Sequence, residues 1–589
     1  LNRSHHETLA EGSHSQSRWR FRSPDPQKVR SLAAAIGCHP ITASVLVNRG
    51  MTTPEAASAF LKPGFHQFPF ASGLLDMEKA VERIHRAVHR QEHILVFGDY
   101  DADGVTATVV LTEFLRQAGA RVSHYIPHRI QEGYGLKAFH IDAVIRPRHA
   151  TLVVTVDCGS SSHEAILEAK RHGIDVIVTD HHRIPPPYPE AYAILNPDRE
   201  SACNGFSHLA GVGVSFLLVL HLRKHFRDCG VWSHRPEPLL KPFCELVAIG
   251  TVADMVPMSP VNRVLVRTGL ESIANGGNPG IRSLAGVCGI RMNGCLRTED
   301  LAFRVSPRLN AAGRMNHADE AVHLLTCRNE AEARPIAEAL SRLNSRRQDV
   351  EQAILSDIVE GIETGSRSLG PSSLVAWDGE WHPGVLGIVA AKLVQRFSRP
   401  SVLIQVADGM GKGSARSLPG VDLYAALCSC ADLLSGFGGH AMAAGLTVPE
   451  NNIEAFCNRF DGVVSEMAKE TPETAGIDIE AEVSFDQIDE RLLDELELFE
   501  PFGAGNPEPV FVARDVEIVN RRVLAERHLG MTLRQKGGNN HRPLQGVAFY
   551  VSNASSIPEK LDHLVFRLRW NFWNGRKSPQ LMVESFSLR

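Results

Sequence analysis

From residue 94 to residue 195 the chain repeats one pattern. Short apolar runs at 94–97, 122–126, 152–156, 176–179 and 191–195 alternate with helical periodicity over 105–118 and 164–172. Runs this short and rich in Val and Ile predict strands. Strands and helices alternating at this spacing predict a doubly wound, mostly parallel α/β sheet. Helical patterns also cover 27–62, which reads as peripheral, and 211–227, 241–253 and 261–275. A much longer helical run spans 329–362, with Pro335 in its first turn. Ile336, Leu340, Leu343, Val350, Ile354 and Ile358 give it an apolar seam. At 1.5 Å per residue it reaches about 50 Å, which suits a bridge between two domains. A second α/β unit follows: strand 374–377, helix 385–397, strand 401–406 and helix 422–434. Past 466 the period falls to two. VSFDQI, EPVFVARDVEIVNRRVL, LGMTLRQ, LQGVAFYVS and LVFRLRWNFWNG read as strands of an all-β module, a small barrel.

These patterns divide the chain at 27–62, 63–318, 319–368, 369–465 and 466–589. Residues 1–26 precede them and read as a disordered tail or an expression remnant. The 589 residues are 43% hydrophobic and 22% charged, as in a soluble globular protein of several domains. A net charge of −5 means that a nucleic-acid partner has to meet a local basic groove. The eleven Cys are scattered without a C-x-x-C pair, which suggests reduced cytosolic thiols. No uninterrupted apolar stretch reaches the roughly eighteen residues of a membrane span.

Charge changes the picture most at VFGDYDADGV, residues 96–105, where Asp99, Asp101 and Asp103 alternate. An EF-hand loop begins this way but needs a Glu at its twelfth position. That position is Val110, and an apolar strand precedes the aspartates. Acidic residues recur at comparable places. TLVVTVDCG ends in Asp157, IDVIVTDHH delivers Asp180, His181 and His182, and ELVAIGTVADMVP places Asp254 after an apolar run. Each alone reads equally as a helix cap or a surface loop. Together they would meet at the carboxyl edge of one parallel sheet, where ligands of such folds bind. So many carboxylates cannot stay ionised together without cations. Carboxylates with imidazole favour Mn2+, Mg2+, Fe or Zn2+, and oxygen-rich ligation tilts the choice toward Mn2+ or Mg2+. Two such ions sharing a carboxylate are a device for phosphoester hydrolysis.

GDYDADG, VTVDCG, VTDHH and GTVADMVP resemble the signature motifs of the DHH phosphoesterase superfamily. SPRLNAAGRM (306–315), WHPGVLGIVAAKL (381–393), GKGSARS (411–417), GFGGHAMAAGL (436–446) and EPFGAGNPEPVF (500–511) resemble, more narrowly, the bacterial RecJ family of single-strand-specific 5′→3′ exonucleases. The resemblance implies a DHH catalytic domain, a long connecting helix, a second α/β domain of DHHA1 type and a C-terminal OB-like domain. It implies that Asp99, Asp101, Asp103, Asp157, His181 and Asp254 hold two divalent ions, Mn2+ or Mg2+, with Asp157 shared. His182 then meets the reacting phosphate or its water, and Asp180 orients the histidine pair. Arg129, Arg308, Asn310 and Arg314 lie along the phosphates, while Ser414, Arg416, Gly439 and His440 hold the 5′-terminal phosphate. The expected partner is single-stranded DNA, together with a single-strand-binding protein and a helicase, for a cytoplasmic monomer. Related readings are a hydrolase of short oligonucleotides or cyclic dinucleotides and a non-catalytic scaffold; scaffolds lose ligands that this chain retains. GKGS fails the P-loop order at Gly413, and GVGVSF (211–216) lacks the third glycine and preceding strand of a dinucleotide site. In the C-terminal module, Arg567, Arg569, Trp570, Phe572, Trp573, Arg576 and Lys577 interleave as a single-strand-binding face would, or as a barrel core with a solvated rim.

Overall fold

The computed structural model describes residues 19–587, apart from 71–72, 185, 200–204, 291–295, 368, 469–475, 526–527, 538–542, 550, 552–556 and 574–575. Two units emerge. One comprises residues 69–256 and 268–473; the other comprises the chain up to residue 68 together with 257–267 and 474–589.

The first unit holds two sheets. Its parallel sheet runs in the order Arg121–Tyr125, His93–Phe97, Leu152–Val156, Asp175–Thr179, Ala193–Leu195, with every neighbouring pair parallel. Leu95, Phe97, Val153, Val176 and Val178 pack on one face against Ala165 and Ile166 of the helix His163–Arg171. The alternate residues Ile94, Val96, Val154 and Ile177 are also buried, on the other face. Burial on both faces explains why the strands read as continuous apolar runs. Helix Ala102–Gln117 begins three residues before the expected 105, because Asp101 caps it and Asp103 fits its first turn.

Helix Glu330–Glu363 ties this sheet's domain to the next. Its C-terminal half, through Ile354, Ile358 and Val359, shares a core with Leu374, Trp381 and Leu386. Pro335 lies in the second turn, not the first, since the helix starts at Glu330 behind the cap Asn329. It is exposed, so water can replace the lost backbone bond. The second sheet is mixed, in the order Gly436–His440, Ala443–Pro449, Met410–Arg416, Ser401–Ala407, Leu374–Asp378. Its last pair is parallel and the others are antiparallel. The Gly-rich motifs at 411–417 and 436–446 thus prove to be strands, which their composition hid. The expected helix 422–434 is shorter, Leu423–Cys428.

The second unit closes a barrel. Phe511–Leu524, His528–Gln535, Leu544–Ala548, Arg576–Ser587 and Lys560–Trp573 pair in that order, and the last returns to the first. VSFDQI is not a strand: Ala481–Glu482 pairs with Phe511 and Val512, and Phe485–Gln487 is a 3-10 turn opened by Ser484. The strand Arg576–Ser587 was not expected from the sequence. Helices Pro26–Ile36, Pro40–Asn48 and Pro54–Leu61 are not peripheral. Leu32, Ile41, Val45 and Leu46 share a core with Leu496, Phe499, Phe511 and Phe566. Of the expected tail, residues 1–18 lie outside the described residues, and Arg20–Phe21 pairs with Asp478–Ile479. Arg263 fastens 257–267 to this unit by donating to the carbonyls of Phe499 (2.8 Å), Pro501 (3.3 Å) and Phe60 (2.8 Å). Among the described residues no single helix is long and apolar enough to cross a membrane.

Candidate metal centre

The acidic residues collect at the carboxyl edge of the parallel sheet. Asp101 Oδ1 accepts from the amides of Asp103 (2.9 Å) and Gly104 (3.0 Å), as an N-cap does. Asp103 is thereby turned into the domain and buried. Its two oxygens accept from Gly211 N (2.7 Å) and Val212 N (2.9 Å), the first amides of helix Gly211–Asp228. The GVGVSF segment is therefore an amide clamp on an acidic side chain, a role that sequence reasoning missed. Its signal was Gly211: a Cβ there would lie 2.4 Å from Asp157 Oδ1.

Asp157 follows its strand with φ of 60°, a backbone state that Asp and Asn tolerate best among non-glycine residues. His181 Nε2 lies 3.1 Å from Asp157 Oδ1, 3.6 Å from Asp254 Oδ2 and 3.8 Å from Asp103 Oδ2. Asp254 arrives at the end of a helix, Lys241–Asp254, rather than of a strand. The donor atoms form three overlapping groups, Asp99–Asp101–Asp157, Asp103–His181–Asp254 and Asp157–His181–His182, each within 4.8 Å.

Burial, then mutual repulsion, lifts Asp99 and Asp157 well above the usual carboxylate range. The same causes push Asp103 up to about 7 and Asp254 up to about 8. Burial and the neighbouring His182 lower His181 to about 4, so it stays neutral, as a metal ligand must. Asp99 Oδ1, Asp157 Oδ1 and His181 Nε2 are buried without a hydrogen-bond partner. Hard oxygen donors, one neutral imidazole and three orphaned atoms fit a pair of divalent ions of the Mn2+ or Mg2+ kind.

Asp180 accepts from the amides of Ser160 (3.0 Å), His181 (2.8 Å) and His182 (3.2 Å), and its Oδ1 lies 2.8 Å from His182 Nδ1. Burial opposes its charge, but His182 and these donors hold it below the usual range. Burial likewise pulls His182 down, and the bond to Asp180 overrides it, to about 9. Tyr134, also missed in the sequence, donates its hydroxyl to Asp157 O at 3.1 Å and lies 3.1 Å from His182 Nδ1.

Three arginines face this edge. Arg129 stacks 4.6 Å over the Tyr100 ring, Arg314 donates to Gly384 O at 3.1 Å, and Arg416 donates to Ala415 O at 2.8 Å. Burial and repulsion from Arg129, Arg416 and Arg347 lower Arg314 to about 9. Among the described residues none of the three has a carboxylate within ion-pair distance. Burial, Arg416 and His182 lower His440, and Asp422 opposes them. Ser414 lies two residues before Arg416, on the same side of the strand. Asn310 Oδ1 accepts from Ala102 N at 2.8 Å. Gly439, with φ of 141°, is required by its hairpin, since a Cβ would come 2.4 Å from Ala443 O. Arg308 is not brought to this cluster. It sits roughly 200° around its helix from Asn310, held by Ser341 Oγ (3.2 Å) and Arg304 O (2.7 Å).

Three family descriptions match in order: "DHH family, N-terminal domain" over residues 93–251, "DHHA1 domain" over 370–466 and "RecJ OB domain" over 479–585. The single-stranded-DNA-specific exonuclease RecJ of Dickeya dadantii is 37% identical over 87% of this chain and 91% of its own length. That of Bacillus subtilis is 35% identical over 97% of this chain and 71% of its own. The chain belongs to the RecJ family. The crystal structure of Thermus thermophilus RecJ with Mn2+ superposes with a TM-score of 0.81 at 30% identity, covering 98% of this chain and 80% of that one. The same RecJ has also been crystallised with Mg2+, with a TM-score of 0.76 at 30% identity over 97% and 78% of the two chains. That RecJ thus binds both metals that the donor set here fits.

In the RecJ OB region Trp570 follows the barrel-core alternative rather than the exposed aromatic face. Trp570 is buried in the barrel core, with Nε1 donating to Asp494 Oδ1 at 2.9 Å. Phe572 is exposed. The side chain of Trp573 lies outside the described residues. Arg569 forms a two-pronged pair with Glu508, Arg567 lies 3.3 Å from Glu584, and Lys577 lies 2.6 Å from Asp494.

Proposed function

We propose that this chain is a metal-dependent, single-stranded-DNA-specific 5′→3′ exonuclease that releases 5′-mononucleotides. One observation carries the reading: among the described residues, buried carboxylates and a neutral imidazole with unpartnered donor atoms lie beside arginines that have no carboxylate within ion-pair distance. The carboxylates fit cations, and the arginines fit phosphate. Asp99, Asp101 and Asp157 would hold one ion; Asp103, His181 and Asp254, with Asp157 shared, the other. When bound, the ions lower the pKa of the attacking water and neutralise charge on the phosphate.

The chain's own residues do the rest. Asp180 fixes both histidines through their amides and keeps His182 protonated, so His182 donates a charged hydrogen bond to a phosphate oxygen. Arg129 and Arg314 hold the strand's phosphates, and Asn310 supports the start of the Asp101–Asp103 turn. Ser414, Arg416, Gly439 and His440 receive the 5′-terminal phosphate, which sets polarity. The protein is expected to act in the cytoplasm as a monomer, in DNA repair and recombination, alongside a single-strand-binding protein and a helicase.

The test is digestion of single strands labelled at either end, with the 5′ terminus phosphorylated or blocked. The expected result is early release of the 5′ label as mononucleotide with Mn2+ or Mg2+, and none in excess chelator. Release from the 3′ end first, or turnover of dinucleotides alone, overturns the reading.

A further inference from the structure

A second group of ligand-type side chains lies at the far end of the helix whose first amides hold Asp103. Helix Gly211–Asp228 carries His225 in its last turn and Cys229 as its C-cap. Four residues apart, they share one face. Helix Met77–His89 brings His85 against them. His85 Nδ1 lies 3.0 Å from His225 Nε2, and Cys229 Sγ lies 3.6 Å from that same nitrogen. All three donor atoms lie within 4.8 Å of one another. The imidazoles cross at 73°, which lets their nitrogens address one point from different directions.

These separations suit an ion. Tetrahedral coordination at about 2.0–2.1 Å to nitrogen and 2.3 Å to sulfur puts two nitrogens about 3.3 Å apart, and nitrogen and sulfur about 3.6 Å apart. A hydrogen bond accounts for each distance taken alone; one ion accounts for both and for the convergence of three ligand-type atoms. Among the described residues no carboxylate joins this group, so its softness differs from that of the carboxylate-lined edge. Sulfur with two imidazoles selects zinc-class ions, whereas oxygen donors select Mg2+ or Mn2+. Burial and the nearby His225 and His89 lower His85, favouring the neutral ring that a ligand requires. Cys229 is exposed and free, so the ion has an entry path.

We propose that His85, His225 and Cys229 bind one zinc-class divalent ion, with solvent in the fourth position. Binding replaces the thiol proton of Cys229, which passes to solvent, with a metal–sulfur bond. A helix of this length spans roughly 27 Å, so the ion takes no part in phosphodiester cleavage. It clips helix Met77–His89 to the end of the helix that presents Gly211 and Val212 to Asp103.

The full chain, stripped with chelator and then saturated with Mg2+ to occupy the carboxylates, is titrated with Co2+. The expected result is a near-ultraviolet thiolate-to-cobalt charge-transfer band that saturates at about one equivalent and is bleached by Zn2+. Cys229→Ser abolishes the band, and His85→Gln weakens cobalt affinity at least about 10-fold. Because Cys229 is exposed, the serine variant keeps its fold, checked by unchanged single-strand digestion in Mg2+. No band in the parent protein, or an undiminished band in Cys229→Ser, overturns the proposal, whatever the digestion assays show about the exonuclease reading.

Discussion

The parallel sheet's carboxyl edge and the C-terminal barrel both crowd charge into a few residues, yet they resolve it in opposite ways. At the sheet edge, among the described residues, Asp99, Asp103 and Asp157 are buried without an arginine or lysine paired to them, and three of the site's polar atoms have no hydrogen-bond partner. Among the described residues the adjoining Arg129, Arg314 and Arg416 likewise have no carboxylate within ion-pair distance. In the barrel, Arg567, Arg569 and Lys577 each meet a carboxylate of the same unit. A run of like charge in a sequence therefore says little until the structure shows what neutralises it. Where nothing in the chain does, a ligand is implied; where a partner exists, the charge is structural.

The largest expected effect tests the unpaired side. Asp157→Asn should lower single-strand digestion by about 10³-fold or more, since it removes a carboxylate shared between donor groups. The same substitution should raise the melting temperature of chelated protein, because it relieves repulsion with Asp103, Asp101, Asp99 and Asp254. A variant that is less stable than the parent without metal would mean that the carboxylate is satisfied by the fold, and the comparison would break. Arg314→Gln comes next. It should cost about 10- to 100-fold in digestion, mostly through weaker DNA binding, with stability unchanged or improved as repulsion from Arg129 and Arg416 is lost. Kinetics on a labelled strand and a thermal melt check both halves.

The sequence made the sheet edge legible for a physical reason. Parallel strands end on one side, so Asp99, Asp157, Asp180 and His181 could be placed together from the strand pattern alone. Asp254 came by a helix, yet its position after an apolar run still marked it. What stayed hidden depends on contacts between distant segments. Tyr134 sits in a glycine-flanked loop with no periodic signal, and the clamp of Gly211 and Val212 on Asp103 needs the fold to be seen. The packing of 26–61 on the barrel joins the two ends of the chain, and no local pattern reports such a pairing. Arg308 and Arg314 looked equivalent in SPRLNAAGRM, but helical geometry turns them to different sides.

The paired side is tested by smaller effects. Arg569→Gln should change single-strand affinity less than about 3-fold, because its fork is already occupied by Glu508. It should instead cost about 1–3 kcal/mol in a denaturant melt, since Glu508 is left buried with the more distant Arg567 at 3.6 Å. If Arg569→Gln weakens DNA binding as much as Arg314→Gln does, the barrel's arginines are not structural and the contrast fails.

The smallest effect belongs to Asp494, whose carboxylate accepts from Lys577 Nζ and Trp570 Nε1. Lys577 is the first cause of its lowered pKa, and the group is largely exposed. A carboxylate lowered in the folded state contributes stability that is present above its unfolded pKa and is lost as pH falls through the folded value. Solvent screening keeps this contribution to about 0.5 kcal/mol or less. Asp494→Asn should therefore lower the melting temperature slightly at neutral pH, and the difference from the parent should vanish in acid below the carboxylate range. A difference that persists unchanged in acid would trace the effect to a changed geometry around the Trp570 hydrogen bond, which the amide oxygen still accepts, and not to the Lys577 charge. That outcome would sharpen the comparison, because it would make the barrel's polar contacts matter for geometry where those of the sheet edge matter for charge.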